Sequence, residues 1–463
     1  MRKLTLGFLL ISILLAACTP TSAPTPTNAP TPRQRPTDLP QPFPDTPTEP
    51  PLGGTDTLKG VHVTLWHGLD GLTGAALSRL AFEFSQKNEW GIQVDIVSQK
   101  NLTLLVQSTD EALRAVHPPD IAVALPENAQ GWAAQHLVTD LAPYMHNSQV
   151  GLSADEIKDI PAAFLQQDQI GASQWGIPAA RSARFLLYNA SFAKQLGFTT
   201  PPTSADDFRK QACAANAFWK TDKDQTNDGF GGLVIENEMS DIDAPWTAYA
   251  WLRAQGGDVF SDGQYAFFGD TNQTTLNFLA GLRNDGCAWL SIATSSAEAL
   301  AAHKALFAAA SLQNLKAQRA AFAGSPDVWT VIPFPGATPA IVAYGPDYVV
   351  FNTTEQRQLA AWLFIRWMLS PEIQARWQRE TSTFPMRTST LALLDNIHNA
   401  NPQWAAAFDL LPQARTYPQS PLWSKARLVL GDGFFQLFQA NPSASDVIRT
   451  LHLMDDTVKD LAQ

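Results

Sequence analysis

Strands and helices alternate in regular order between residues 61 and 124, and this alternation restricts the fold more than any other feature of the sequence. Residues 61–66 alternate in polarity and are rich in β-branched side chains, which predicts a strand; residues 91–97 and 120–124 predict two more. The helix after the first strand is indicated by apolar residues at helical spacing: Leu77, Leu80, Ala81 and Phe84. This order is typical of a parallel sheet with right-handed crossovers. The sequence therefore predicts an α/β fold.

The remaining chain is long enough for a second lobe with its own core, because 463 residues exceed what one simple core accommodates. Further strands are predicted at residues 185–189, 328–332 and 348–351. Residues 205–310 have a largely helical pattern, and the chain from Asn401 onward is again helical. The helix predicted at 355–369 is apolar on most sides, so we expect it to be buried.

The N-terminus has the pattern of a bacterial lipoprotein signal peptide, residues 1–18. Arg2 and Lys3 precede an apolar stretch at residues 4–15, and small residues lead directly into Cys18. Cleavage before Cys18 and lipidation of its thiol would make it the first residue of the mature protein. The alternative is an uncleaved membrane anchor, although the stretch is shorter than the roughly 20 residues that a span needs. In both cases we expect an extracytoplasmic protein, at the outer face of the cytoplasmic membrane or in the periplasm.

Residues 19–57 are rich in Pro and Thr and have no apolar pattern to bury, so we expect a disordered tether. At about 3.1 Å per residue, roughly 40 residues in polyproline conformation reach on the order of 100 Å. The folded part should therefore begin near residue 58.

Charge and cysteine content restrict the partners and the compartment. The formal net charge is -11, and no Lys/Arg-rich run occurs, which argues against nucleic acid and against any membrane contact except through the anchor. Besides Cys18 the chain has only Cys213 and Cys287, an even pair that suits a disulfide in an oxidising compartment. Two buried free thiols are the alternative.

Residues 222–229 place oxygen-bearing side chains at alternate positions before a glycine, as calcium loops do. Counted from Asp224, however, the twelfth position is Ile235 and not the glutamate that an EF-hand requires. A polar surface loop is the better interpretation, and we expect neither a metal nor a cofactor.

Several short strings occur in a fixed order along the folded part: Leu65-Trp66-His67-Gly68, Pro118-Pro119-Asp120-Ile121, Trp175-Gly176-Ile177-Pro178, Leu187-Tyr188-Asn189, Gln255-Gly256-Gly257-Asp258, Ser370-Pro371-Glu372 and Phe384-Pro385-Met386-Arg387. Their order and spacing resemble those of the family 1 extracellular solute-binding proteins of ABC importers, the maltose-binding-protein-like group. The resemblance extends from about Lys59 to the C-terminus.

This resemblance implies a two-lobe periplasmic-binding-protein-like fold of type II, with a hinge and an interlobe cleft. The N-lobe would comprise residues 58–185 and 336–388, and the C-lobe residues 186–335 and 389–463. The chain would cross between the lobes near 184–187, 333–339 and 387–391. Cleft closure around a small polar ligand, a sugar or oligosaccharide, would then present a monomeric protein to ABC permease subunits.

The candidate ligand-binding residues come from the ends of predicted strands and from segments that line the cleft in this family. Ligands bind beyond the carboxyl ends of parallel strands, which selects the loops after the first and third strands. The candidates are Trp66, His67, Asp70, Glu127, Asn128, Arg181, Trp246, Tyr344, Gly345, Asp347 and Arg387. Aromatic faces suit sugar rings, and the polar groups suit hydroxyls. A core tryptophan, a solvated carboxylate and a surface salt bridge are the respective alternatives for Trp66, Asp70 and Arg181.

Two other classes of protein remain open at this point. A lipid-anchored glycoside hydrolase would need two facing carboxylates, which the sequence alone does not test. No Gly-x-Ser-x-Gly string and no histidine cluster occurs, so we expect no catalytic residues and no enzyme activity. A sugar sensor without transport is the other alternative.

Overall fold

The computed structural model describes residues 55–69, 71–236, 243–291, 294–439 and 441–463. The predicted leader with Cys18, most of the predicted tether, and the candidate Asp70 lie outside the described residues. Among the helices described, none is both long and apolar enough to cross a membrane.

The strands are β1 His62–His67, β2 Gln93–Ser98, β3 Ile121–Ala124, β4 Gln169–Ile170, β5 Ser173–Gln174, β6 Ile177–Pro178, β7 Ser182–Asn189, β8 Leu233–Glu236, β9 Phe260–Ser261, β10 Gln264–Tyr265, β11 Ala288–Ser291, β12 Phe307–Ala310, β13 Trp329–Ile332, β14 Ile341–Tyr344, β15 Asp347–Val350 and β16 Ala414–Arg415.

The α-helices are α1 Gly71–Lys87, α2 Leu102–Arg114, α3 Pro126–Ala133, α4 Ala142–Met145, α5 Ala154–Lys158, α6 Ala162–Gln166, α7 Ala190–Gln195, α8 Ala205–Lys220, α9 Asp243–Ala254, α10 Asp270–Asn284, α11 Ser296–Ala301, α12 Leu315–Ala321, α13 Glu355–Met368, α14 Pro371–Thr381, α15 Asp395–Ala400, α16 Pro402–Asp409, α17 Trp423–Gln439 and α18 Ala444–Leu461. Short 3-10 helices lie at Thr55–Leu58, Leu312–Asn314, Thr388–Leu393 and Leu411–Gln413.

The first sheet has the strand order β2-β1-β3-β15-β6. β1 pairs in parallel with β2 and β3, so that Leu65 lies opposite Ile96 and Ile121, and β15 runs antiparallel to β3. α1 buries the four apolar residues of its predicted face against this sheet. The parallel strand–helix–strand arrangement predicted for residues 61–124 is confirmed.

The second sheet has the order β11-β8-β12-β7-β14-β16, and β13 also pairs with β7. Residues 205–310 contain the helices α8 to α11, as the helical pattern predicts, but also three unpredicted strands of this sheet, β8, β11 and β12. These strands have only four residues each, and β8 and β12 pair in parallel inside the lobe. Central parallel strands are buried on both faces and show no polar alternation, so their short apolar runs resemble helix interior.

The chain passes from the first sheet to the second at residues 179–181, between β6 and β7, and returns at 345–346, between β14 and β15. These passages lie several residues away from the crossings predicted near 184–187 and 333–339, because β7 and β14 extend further towards the first sheet. The third predicted crossing, near 387–391, falls mainly in the 3-10 helix Thr388–Leu393.

The two passages are bound directly to each other. The backbone N–H groups of Ala179 and Ala180 both donate to the carbonyl of Pro346, at 3.0 and 3.2 Å. Gly345 has a φ of +148°, and a Cβ atom there would lie 2.1 Å from the carbonyl oxygen of Ala180. Glycine at this position therefore allows close approach of the two backbone segments.

Cys213 in α8 and Cys287, just before β11, form a disulfide with a Cα–Cα distance of 4.5 Å. It ties a helix of the second lobe to the edge strand of the second sheet. In the loop at 222–229, Asp222 and Asp224 accept hydrogen bonds from neighbouring loop residues, and Asp224 is exposed. These contacts agree with a polar surface loop.

Replacing both cysteines, Cys213→Ala with Cys287→Ala, should destabilise the protein by up to about 4 kcal/mol, the entropy of closing a loop of 74 residues in the unfolded chain. Urea unfolding followed by circular dichroism measures this loss. The wild-type protein in reducing buffer serves as the control, since it should unfold at the same midpoint as the variant. Equal midpoints for the variant and the oxidised wild-type protein would show that the bond contributes nothing.

Candidate ligand-binding site

Acidic side chains gather at the carboxyl edge of the first sheet. α3 starts directly after β3 and carries Glu127 in its first turn, where the side chain is 3 % exposed. β15 runs in the opposite direction, so its first residue, Asp347, lies at the same edge, opposite Ala124. A buried third carboxylate, Asp168, lies close to Asp347.

Arg181 lies between two of these carboxylates and is only 1 % exposed. Its Nη2 atom is 3.0 Å from Asp168 Oδ2 and 2.5 Å from Asp347 Oδ1. Its Nη1 atom donates to the carbonyls of Gly345 and Pro346, at 2.9 Å each. Burial and the nearby Asp347 carboxylate raise the pKa of Asp168 well above its ordinary value.

The predicted candidates Arg181, Gly345 and Asp347 contact one another in this cluster. Arg181 was expected to bind ligand or to form a surface salt bridge, but its donors are used by buried carboxylates and backbone carbonyls. Gly345 serves the backbone contact with Ala180. Asp347 binds Arg181 through Oδ1, while its Oδ2 has no hydrogen-bond partner among the described residues.

The second lobe faces this edge with an aromatic cluster, which we define as Trp246, Tyr344, Tyr417 and Trp423. Trp246, in α9, is stacked on Tyr344 of β14 with ring centroids 4.8 Å apart and planes 5° apart. Tyr417 meets the same indole edge-on at 4.8 Å, and Trp423 lies 5.9 Å away. The predicted candidates Trp246 and Tyr344 therefore lie together.

Arg427 connects the aromatic cluster to Glu127. It follows Trp423 by one turn of α17, and its guanidinium carbon lies 5.9 Å from the centre of the Trp246 ring. Its Nε atom is 3.8 Å from Glu127 Oε1. Neither carboxylate oxygen of Glu127 accepts a hydrogen bond of ordinary geometry from the residues described. Burial raises the pKa of Glu127, and the charge of Arg427 opposes that shift.

A second set of contacts holds the two walls together. The backbone N–H of Tyr417 donates to Gln167 Oε1 at 2.9 Å, and Gln167 Nε2 donates back to the Tyr417 carbonyl at 3.3 Å. Gln419 Nε2 donates to the carbonyls of Gln166 and Gln169, at 2.6 and 2.8 Å. The segment at 417–419 is therefore fixed against the loop that carries Asp168.

Chemically, this arrangement suits a polyhydroxylated ligand. A buried carboxylate without hydrogen-bond donors is costly, and ligand hydroxyls would supply those donors. Broad aromatic faces beside it suit the apolar C–H face of a ring. Asn128, the residue after Glu127, is half-buried and adds an amide at the same helix start.

Trp66 does not lie in this cluster. β1 continues through His67, so Trp66 is a strand residue, and neighbouring side chains of a strand point to opposite faces. Trp66 packs with the apolar residues beneath α2 and lines a groove of about 610 Å³ with Thr64, His117 and Pro118, towards the amino end of β3.

His67 and Arg387 belong to other local networks. His67 is buried, and its Nδ1 atom accepts the N–H of Leu69 at 3.2 Å, which braces the loop after β1. Burial lowers the pKa of His67. Arg387 Nε donates to Asp159 Oδ2 at 2.6 Å, and its Nη1 lies 3.5 Å from Glu156.

Sequence reasoning did not select Asp168, Tyr417, Trp423 or Arg427. One signal was available for the last two: Trp423 and Arg427 are four residues apart on one helix, so they share a face. Nothing in the sequence indicates that this face lies opposite Glu127.

Glu127→Gln should stabilise the ligand-free protein at neutral pH by about 1–3 kcal/mol, the scale of an unsatisfied buried polar group. Because the pKa of Glu127 is raised in the folded state, the unfolded chain releases this proton first as the pH rises. As the pH rises above the ordinary glutamate pKa of 4.5, the folded protein therefore loses stability, and the loss continues until the pH passes the raised pKa of Glu127 in the folded state. Denaturant unfolding of both proteins between pH 4 and 8 measures the difference.

The two proteins should be equally stable at the acid end of that range and should diverge as the pH rises. A difference that is constant with pH, or a variant that is less stable at pH 8, would contradict the proposed state of Glu127.

Comparisons with known proteins identify the architecture. A family model described as bacterial extracellular solute-binding protein matches residues 80–410. No curated protein sequence matches the chain. Solved structures match over most of the chain at low identity, so they show the shared two-lobe fold.

One match is the sugar-binding protein MalE from Xanthomonas citri, with a TM-score of 0.73 at 18% identity, covering 87% of this chain and 98% of that one. A cyclic alpha-maltosyl-1,6-maltose binding protein from Arthrobacter globiformis matches with a TM-score of 0.70 at 18% identity, covering 86% and 98%. UgpB from Mycobacterium tuberculosis, solved with glycerophosphocholine, matches with a TM-score of 0.67 at 20% identity, covering 86% of this chain and 98% of that one. The family model and the two-lobe architecture agree, and the chain belongs to the bacterial extracellular solute-binding protein family.

Proposed function

We propose that the protein binds a sugar or oligosaccharide between its two lobes and delivers it to the permease subunits of an ABC importer. The observation that carries the proposal is the buried Glu127 carboxylate, which has no hydrogen-bond donor among the described residues and faces the aromatic cluster. As a member of an extracellular solute-binding family, the protein is extracytoplasmic. Binding without turnover would make it a carrier and not an enzyme.

Each wall of the site contributes a different kind of contact. In the first lobe, Glu127 would accept hydrogen bonds from ring hydroxyls, and Asn128 would add an amide. In the second lobe, Trp246 would offer a flat face, with the fully buried Trp423 packed behind it, and Arg427 would donate to hydroxyl or ring oxygens. Asp70, which lies outside the described residues, remains a candidate. The contacts of Arg181, His67 and Arg387 favour supporting roles for these three residues.

Two solved relatives support the ligand class, since their descriptions name a sugar-binding protein and a binding protein for a cyclic maltosyl-maltose. The relative solved with glycerophosphocholine binds a polar ligand of another kind. The aromatic cluster beside Glu127 favours the sugar, because a carbohydrate ring offers both a C–H face and hydroxyl donors.

Lobe closure would couple binding to transport. Glu127 belongs to the first lobe and Arg427 to the second, and they lie 3.8 Å apart. A ligand that bridges these two groups would stabilise the closed arrangement, and hinge closure would present a changed surface to the permease. We propose two lobes, each built on one of the two sheets, with the hinge at the passages between them, residues 179–181 and 345–346.

A thermal-shift screen of the purified protein tests the proposal. Mono- and oligosaccharides, polyols, amino acids and glycerophosphodiesters form the panel, and a ligand at 100 times its Kd adds about 2.7 kcal/mol of stability. We expect the largest shift from a carbohydrate, with no product formed. A shift confined to amino acids or to the glycerophosphodiesters would overturn the ligand class, and turnover of a carbohydrate would indicate a glycoside hydrolase.

Glu127→Gln should weaken binding of that carbohydrate on the order of 10- to 100-fold, since a hydrogen bond to a charged group contributes about 1.5–3 kcal/mol. Isothermal titration calorimetry measures the change. Glu89→Gln is the matched control, because Glu89 is exposed and lies outside the site, and its affinity should equal that of the wild-type protein. Unchanged affinity in the Glu127 variant would remove this residue from the site.

We further propose that Cys18 carries the lipid and that residues 19–57 are the tether of the folded part. Cys18→Ser should move the protein from the membrane fraction to the soluble fraction of expressing cells, because the thiol is the attachment atom. Detergent-phase partitioning with an antibody to the folded part measures this. A variant that stays with the membranes would favour an uncleaved anchor.

A further inference from the structure

A second pocket lies away from the aromatic cluster, between α12 on one side and α14 to α16 on the other. It encloses about 400 Å³, within the range of small-molecule sites. Its cationic lining residues are Lys316, Arg319 and Arg379, and its described lining contains no acidic side chain. Lys316 and Arg319 form no ion pair with any residue that the structure describes. The pocket therefore has a positive charge that the neighbouring side chains do not neutralise.

Two residues that line this pocket also have buried polar atoms without hydrogen-bond partners among the described residues. Gln378 and Trp404 are each 3 % exposed. Oε1 of Gln378 accepts no hydrogen bond, and Nε1–H of Trp404 donates none, to or from the described residues. Such groups are rarely left unpaired, because burying a polar group without a hydrogen bond is costly. One is an acceptor and the other a donor, so an occupant that satisfies both must carry both functions.

The tryptophan ring is fixed in place by its neighbours. Its centroid lies 5.7 Å from that of Phe408, in a stacked arrangement, and 6.4 Å from that of Phe384. The chain just beyond Gln378 is also held, because the N–H of Ser382 donates to the Gln378 carbonyl at 2.8 Å. The donor is thus on a packed ring, while the cations are on exposed or half-buried side chains.

We propose that this pocket binds a small organic anion that also carries a hydroxyl group, either a hydroxycarboxylate or a phosphate monoester of a polyol. The anionic oxygens would be held by Lys316 and Arg319 and by the N–H of Trp404. The hydroxyl group would donate to Oε1 of Gln378. This site is separate from the sugar site and does not depend on its assignment.

An occupant of this pocket would touch elements of both lobes. α12 follows β12 of the second sheet, whereas α14 is tied to α1 of the first lobe by Arg376, whose Nη atoms lie 3.0 and 2.6 Å from the carboxylate oxygens of Glu83. A ligand bound to both walls would therefore affect the equilibrium between open and closed lobes.

Calorimetric titration of the wild-type protein with glycerol 3-phosphate and with citrate tests the proposal. At least one of them should bind, more tightly than inorganic phosphate, and glycerol alone should not bind. Arg319→Ala should weaken binding on the order of tenfold, and Trp404→Phe, which keeps the ring but removes the N–H, should weaken it several-fold. Circular dichroism checks that both variants are folded.

Lys459→Ala is the matched control, because it removes one exposed positive charge on α18, outside the pocket, and its affinity should be unchanged. No binding of either anion, or binding that Arg319→Ala leaves intact, would overturn the proposal. An equal loss of affinity in the Lys459→Ala variant would show that the effect comes from net charge alone, and this would also overturn the proposal. Loss of anion binding in Glu127→Gln, with Arg319→Ala unaffected, would place the anion in the interlobe site.

Discussion

Arg181 joins the two connections between the sheets, and the geometry of the ligand site depends on this joint. One guanidinium nitrogen binds the carbonyls of Gly345 and Pro346, and the other binds the carboxylates of Asp168 and Asp347. Removing one partner of a buried ion pair is strongly destabilising, whereas the net stability from the intact pair is small. The value of the cluster is therefore in its geometry: it fixes the start of β15 and the loop at 166–169, against which the second lobe packs.

The ligand site itself has a different energetic character. Glu127 is buried beside other acids, and among the described residues only Arg427 offers an opposite charge, at 3.8 Å. A buried carboxylate of this kind lowers the stability of the ligand-free protein, and hydrogen bonds from ligand hydroxyls would offset that cost. The aromatic cluster opposite is closely packed and holds the apolar half of the same site. The polar half and the apolar half come from different lobes, which is why closure and binding are linked in this account.

Sequence reasoning predicted the first lobe well and the second poorly, for a physical reason. The strands of residues 61–124 alternate with an amphipathic helix of clear period, whereas β8, β11 and β12 are four-residue strands whose runs have no period. In the site, Glu127, Trp246 and Tyr344 were selected from strand ends and family resemblance, and the fold brings them to one place. Trp66 was selected from the end of the first strand, but its side chain packs in the apolar cluster beneath α2, a tertiary contact that the local sequence does not reveal. Arg427 was not selected because its proximity to Glu127 is a tertiary contact across 300 residues of sequence.

A crystal structure of the protein with the carbohydrate that stabilises it most tests the central claim most directly. The account predicts a sugar ring against Trp246, with a ring hydroxyl within hydrogen-bond distance of a Glu127 carboxylate oxygen. A ligand bound elsewhere, or one that leaves both oxygens of Glu127 without a donor, would contradict it.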